Sequence, residues 1–159
     1  MRNPNFEKKY KLMRYFLLVI LIICNSETTF SQIRSDDIVG TWQSEAKDLK
    51  VEIFKTQNKY FGKLNWFYCP ASTPPMEHYK DVSNPNPVLR NTSWLGMILL
   101  KNLIYGGENE WTKGEIYDPN SGRTYSSKVR LINAQTIHVR GYFGIPLLGK
   151  TMVFYREKK

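Results

Sequence analysis

The sequence predicts an all-β fold, a single antiparallel up-and-down barrel of about eight short strands. Three observations lead there. Alternation of period two recurs along the chain after residue 32, turn-forming residues punctuate it at hairpin spacing, and no long stretch keeps the 3.6-residue period of an amphipathic helix. At 159 residues the chain allows one domain. A two-sheet sandwich satisfies the same alternation, and the barrel is preferred because the runs follow one another as hairpins.

Residues 1–31 have the anatomy of a secretory signal and are expected to stand outside that domain. Arg2, Lys8, Lys9, Lys11 and Arg14 form a positive region, Tyr15 to Cys24 an apolar one, and Thr29 and Ser31 are the small residues before a cleavage near Gln32. Kept as a membrane helix, Tyr15 to Cys24 would span only about 15 Å of a hydrocarbon core roughly 30 Å thick. A lipid anchor on Cys24 is disfavoured by Ile23, which fills a position where a small residue is needed. The expected product is an exported chain, residues 32–159, with no membrane span after cleavage.

Along that chain the elements follow in order. A helical turn near Ser35 to Ile38 precedes a strand near Gly40 to Ser44. In "LKVEIFKT" Leu49, Val51 and Ile53 alternate with Lys50, Glu52 and Phe54, and "KYFGKLNWF" follows after Gln57 and Asn58, which makes a hairpin. Residues 70–87 break the pattern: Pro70, Pro74, Pro75, Pro85 and Pro87 mark a long loop or lid, and long ordered loops in compact domains are often functional. A strand lies within Trp94 to Tyr105, and another runs from Trp111 to Tyr117. Asp118-Pro119-Asn120-Ser121-Gly122 then supplies a turn former, a fixed φ and a glycine free to take positive φ, so Arg123 to Ile132 returns as a hairpin partner. Tyr125, Ser127, Val129 and Leu131 share one face of it. Thr136 to Phe143 and Lys150 to Arg156 complete the set.

Composition narrows the function. The five basic and two acidic side chains of residues 1–31 take the net charge from +9 to +6 when removed, and the remaining Lys47, Lys50, Lys55, Lys59 and Lys63 come singly with acids between them. Nucleic-acid binders concentrate such charge on one stripe or helix, so a nucleic-acid partner is not expected, and a generally cationic surface suits an anionic envelope. Cys69 is the single cysteine after residue 31, in the context "WFYCPASTPP", and reads as a half-buried structural thiol. His78 and His138 are the two histidines, and no spacing of His, Cys, Asp or Glu suggests a metal or other cofactor site. Glu108, Glu110 and Glu115 surround Trp111, a pattern that suggests sugar cleavage, but their spacing is that of solvated loop charges. Asp118 reads as a turn cap. No nucleophile, base and orienting group converge, so an enzyme is not expected.

The ordered motifs "VGTW", "VLRNTSWLGMILLKNL", "GEIYDPNSGRTYSSKVRL" and "VRGYFGIPLLGKTMVFYR" resemble the bacterial exported family catalogued as domain of unknown function 2147, over Asp37 to Arg156. The resemblance implies a lipocalin- or calycin-like β-barrel and a periplasmic or envelope location, and it supplies no functional residues. Lys101 and Asn102 depart from the uniformly apolar stretch expected at their place. Gly40-Thr41-Trp42 resembles the Gly-x-Trp on the first strand of lipocalins, where the tryptophan closes one end beneath a late arginine. Arg156 is the expected partner here, with Arg140 second.

The excess is aromatic, 14% of the chain. In a barrel of eight strands inward aromatics either fill the interior or line a cavity for one small ligand. The expected ligand-binding residues are Trp66, Trp94, Trp111 and Tyr142, with Leu147 and Leu148 of "GIPLLGKT" covering a barrel end; Trp42, Arg156, Asp118 and Gly122 are expected to be structural. The first functional reading is a module that binds a small apolar molecule without chemistry. The alternative is a structural or interaction protein of the envelope with a filled core, and a hydrolase is the remote third.

Overall fold

A computed structural model describes residues 34–158, so the signal-like segment lies outside the described residues. Eight antiparallel strands close into one barrel in sequence order, β1 pairing with β8 to complete the ring. They are β1 (Gly40–Ser44), β2 (Leu49–Thr56), β3 (Lys59–Phe67), β4 (Ile98–Gly107), β5 (Glu110–Asp118), β6 (Arg123–Asn133), β7 (Thr136–Tyr142) and β8 (Lys150–Arg156). Closure leaves no unpaired edge, so every strand has a ladder on both sides. Besides the expected 3₁₀ turn at Ser35–Ile38, three more occur at Met76–His78, Pro87–Leu89 and Pro146–Leu148, each beginning near a proline whose fixed φ suits a first helical position.

Alternation decides which side chains face in. Leu49, Val51 and Ile53 of β2 and Ser127, Val129 and Leu131 of β6 keep strict period two. β3, β4 and β5 do not, because each carries an extra residue. In β4, Gly62 and Tyr60 of β3 oppose Leu100 and Leu103, and the added position is Asn102 with φ 60°. In β5 it is Lys113 with φ 59°, between Trp111 and Gly114, which pair with Val129 and Ser127. These bulges bend the strands round the barrel and reset which residues point inward.

The two ends differ. One end holds the 35–38 turn and the β2–β3, β4–β5 and β6–β7 hairpins; the other holds the β1–β2 turn, the long 68–97 connection, the 119–122 turn and the 143–149 segment. The densest core lies at the first end, where Ile38, Trp42, Leu103 and Trp111 have no exposed surface.

Candidate functional site

The closed end is sealed by the 35–38 turn, which three strands grip through polar tips of large side chains. Trp42 Nε1 donates to the Ile38 carbonyl at 2.8 Å, Trp111 Nε1 to the Ser35 carbonyl at 3.2 Å, and Tyr60 Oη to Asp36 Oδ1 at 2.5 Å. Lys55 also reaches Asp36 at 2.7 Å, and this ammonium, with the Tyr60 hydroxyl, holds the Asp36 carboxyl down at about 2. Arg156 completes the seal: its guanidinium lies 4.1 Å from the centre of the Trp42 ring and donates to the carbonyls of Val39 (2.9 Å), Ala134 (2.8 Å) and Asp37. Arg156, not Arg140, is the partner of Trp42. Gly40 is required beside it, because its φ is 136° and a Cβ there would stand 2.7 Å from an Arg156 nitrogen.

Above Trp42 the interior is not filled. A cavity of about 780 Å³ runs from Trp42 and Phe154 past Val51, Leu100, Ile116 and Met152 to the exposed rim residues Tyr68, Phe143 and Leu148 at the other end. That volume lies within the usual range of small-molecule sites, roughly 300–1,000 Å³. Among the described residues three charged side chains belong to its wall: Asp48, Asp118 and Lys150. Both carboxylates are engaged. Asp48 accepts from Ser44 Oγ at 2.6 Å, and Asp118 accepts from Asn120 N (3.0 Å), Asn120 Nδ2 (3.1 Å) and Ser121 Oγ (2.7 Å). Burial pushes the Asp118 carboxyl up, but the bonds from Ser121 and Asn120 outweigh it and leave it lowered. Lys150 is exposed at the rim and has no ion pair among the described residues.

The proline-bearing segment is fastened across one side of this mouth. Phe67, Tyr79 and Trp94 form a cluster with ring centres 5.1–5.5 Å apart, and an isolated bridge joins Lys80 to Ser93. Ser83 Oγ donates to the Asn120 carbonyl at 3.0 Å. Gly122, at φ 68°, passes so close that a Cβ would stand 2.0 Å from the Ser83 carbonyl oxygen. The "DPNSG" motif is therefore both a hairpin turn and the seat of the long loop. Asp81 is 1% exposed and accepts from Tyr117 Oη at 2.7 Å and Asn84 Nδ2 at 2.6 Å.

Burial and then the Asp81 carboxylate push the Tyr117 phenol up to about 12. The sign follows from the unfolded value of 10.0: the latch gives its full stabilisation below that pH, and loses it as pH rises toward the folded value. Spectrophotometric titration should show a late-ionising tyrosine that Tyr117→Phe removes, and that variant should cost about 1–2 kcal/mol by taking a partner from a buried carboxylate. A cost indistinguishable from zero would mean that the latch carries no stability.

Of the expected ligand-binding residues, Trp94, Tyr142 and Leu148 line the cavity. Three do not. Trp66 is turned outward by a register shift opposite Lys50 and Val51, which brings Phe67 inside in its place and leaves Lys50 Nζ 5.8 Å over the Trp66 ring. Trp111 is inside but belongs to the sealed end. Leu147 is 82% exposed and is not part of the cavity wall. The group around Trp111 does not converge either, since Trp111 is buried inside while Glu110 pairs on the outer face with Lys128 at 3.3 Å. His138 lies on that same outer face, between Arg130 and Val153 in the ladder. Sequence reasoning missed Tyr60 as a grip on the 35–38 turn and Lys150 as the cation of the rim.

A closed eight-stranded antiparallel barrel with a sealed first-strand tryptophan and an open apolar interior defines a lipocalin-like protein. The chain belongs to the family of uncharacterised proteins conserved in bacteria known as domain of unknown function 2147, whose model matches residues 40–156. Among solved structures it is similar to one described as "Protein HP1028 from the human pathogen Helicobacter pylori belongs to the lipocalin family". That likeness has a TM-score of 0.66 at 25% identity and covers 77% of this chain and 84% of the other. No curated protein matches. Among the described residues no helix is long and apolar enough to cross a membrane, and no group of three His, Cys, Asp or Glu is placed to hold a metal ion.

Proposed function

We propose that this is an exported bacterial protein that binds one small amphiphile without chemistry, its apolar tail in the barrel and an anionic head at the rim. The observation that carries the reading is the cavity of about 780 Å³, walled mainly by aliphatic and aromatic side chains, with Lys150 as the sole cation of its wall among the described residues. Burying a tail against that wall contributes about 0.8 kcal/mol per methylene. Trp94 adds support, since its buried indole N–H has no acceptor among the described residues and belongs to the same wall. The periplasmic or envelope location rests on the signal-like residues 1–31.

Titration with a fluorescent fatty-acid analogue is expected to saturate at one molecule per chain, and the absence of a saturable signal would sink the proposal. Lys150→Ala is expected to weaken a carboxylate ligand about tenfold, the loss of one charge-assisted contact, and to leave the matching neutral alcohol unchanged. Equal losses for both ligands would remove Lys150 from the head-group site.

A further inference from the structure

The 143–149 segment is unusual in what it exposes. Phe143, Ile145, Leu147 and Leu148 are 55–82% exposed within six positions; Phe143 and Leu148 belong to the cavity rim, and Ile145 and Leu147 lie outside the cavity wall. The turn is fixed in this position. Arg140 Nε donates to the Pro146 carbonyl at 2.6 Å, its Nη2 to the Leu147 carbonyl at 3.1 Å and its Nη1 to Thr151 Oγ1 at 2.6 Å. Gly149 seats the turn on β7, where a Cβ would stand 2.5 Å from the Gly141 carbonyl oxygen. A soluble surface does not present such an apolar cluster without a use for it.

The charge beneath it is one-sided. From Arg123 to Arg156 the chain has six Lys and Arg and no Asp or Glu. On the outer face of β6 and β7, Lys128 stands opposite Arg140, a like-charge pairing that costs stability in a sheet, and Arg130 stands opposite His138. Among the described residues Glu110 of β5 is the one carboxylate that reaches this stripe, at 3.3 Å from Lys128 and 3.9 Å from Arg130. An apolar tip above a cationic stripe is complementary to an anionic lipid surface. There the tip enters the boundary between head groups and acyl chains, and each basic side chain near the surface adds electrostatic attraction to anionic lipids.

We propose that the 143–149 turn docks the barrel on an anionic lipid bilayer, with Ile145 and Leu147 inserted and the β6–β7 stripe, Lys128, Arg130 and Arg140, against the head groups. This orientation turns the cavity mouth, whose rim includes Phe143 and Leu148, toward the membrane. Docking does not depend on the ligand proposed above.

The test is flotation of the protein with vesicles of phosphatidylcholine alone and of an equal mixture with phosphatidylglycerol, together with hydrogen–deuterium exchange over Phe143 to Gly149. Preferential flotation with the mixed vesicles, weakened by salt, and slowed exchange in that segment are expected. Ile145→Asp with Leu147→Asp should lower the partition at least about tenfold. Arg130→Glu, remote from the cavity, should weaken binding to the mixed vesicles alone and leave the fatty-acid titration as it was, which separates failure of docking from failure of ligand binding. It also serves if the double variant does not fold. Exchange unchanged by vesicles would overturn the proposal. So would a concentration-dependent dimer, seen by sedimentation velocity and abolished by the double variant, because a second copy would then be the occupant of the apolar tip.

Discussion

Arg156→Ala is expected to lower the stability of the barrel by about 3 kcal/mol and its melting temperature by about 10 °C or more. The substitution removes a guanidinium lying 4.1 Å from the Trp42 ring centre, a contact worth about 0.5–2 kcal/mol. It also strands the carbonyls of Val39, Ala134 and Asp37, which Arg156 satisfies from three directions. Those carbonyls belong to the 35–38 turn region and to the β6–β7 hairpin, so one side chain joins the plug, the first strand and the neighbouring hairpin. Arg156→Lys keeps the charge but loses the planar fork and should recover less than half of the loss. Chemical denaturation reads both. A loss below about 1 kcal/mol would show that the Trp42 and Trp111 hydrogen bonds hold the plug without the arginine.

Much of this end is legible in the sequence, because its signals are local. "GTW" places Gly40 and Trp42, and the position of Arg156 at the end of the last alternating run brings it to β1 once the barrel closes, where Trp42 pairs with Arg156 in the ladder. The strand faces of β2, β6 and β7 were likewise written in strict alternation. What hid the rest was the bulge. In "KYFGKLNWF" the spacing of Tyr60, Gly62 and Leu64 points Trp66 inward, yet the extra residue in β3 reverses the parity and brings in Phe67. In "ILLKNLIY" the added Asn102 in the left-handed region explains why Lys101 and Asn102 interrupt an apolar stretch: Lys101 is outside, and Leu100 and Leu103 are both inside. A left-handed asparagine is a weak signal in sequence, and pairing across strands is needed to make it decisive.

The candidate site was legible in kind but only half in place. An aromatic excess says that an eight-stranded interior is rich in rings; it does not say which rings stack into a floor and which leave space. Tyr60, Tyr105 and Trp111 meet at ring-centre distances of 5.0–6.1 Å and make that floor. Gly62 and Gly114 let Val51, Leu100 and Leu103 pack onto the bare backbone, where a Cβ would stand 2.5–2.9 Å from them, while Gly141 lines the cavity; all three look like strand weaknesses in sequence. Lys150 escaped notice because its role depends on the rim that the ring of strands creates.

Filling that space is the second large effect. Val51→Trp combined with Ile116→Trp introduces two indoles on β2 and β5 into the cavity that both residues line. The variant is expected to weaken the fluorescent fatty-acid analogue at least about 100-fold, the equivalent of about 2.7 kcal/mol. Its stability should stay within about 1 kcal/mol of the parent, since the added ring atoms extend into the cavity that both side chains line. That pairing of outcomes separates the two readings of the aromatic interior. In a filled core the same two insertions would force side chains off their rotamers at about 1–3 kcal/mol each, and the melting temperature would fall steeply. In an open cavity ligand affinity is lost while the fold persists. A stable double variant that still binds the analogue with parental affinity would place the ligand outside the barrel, and would leave the rim and the 143–149 turn as the surface that holds it.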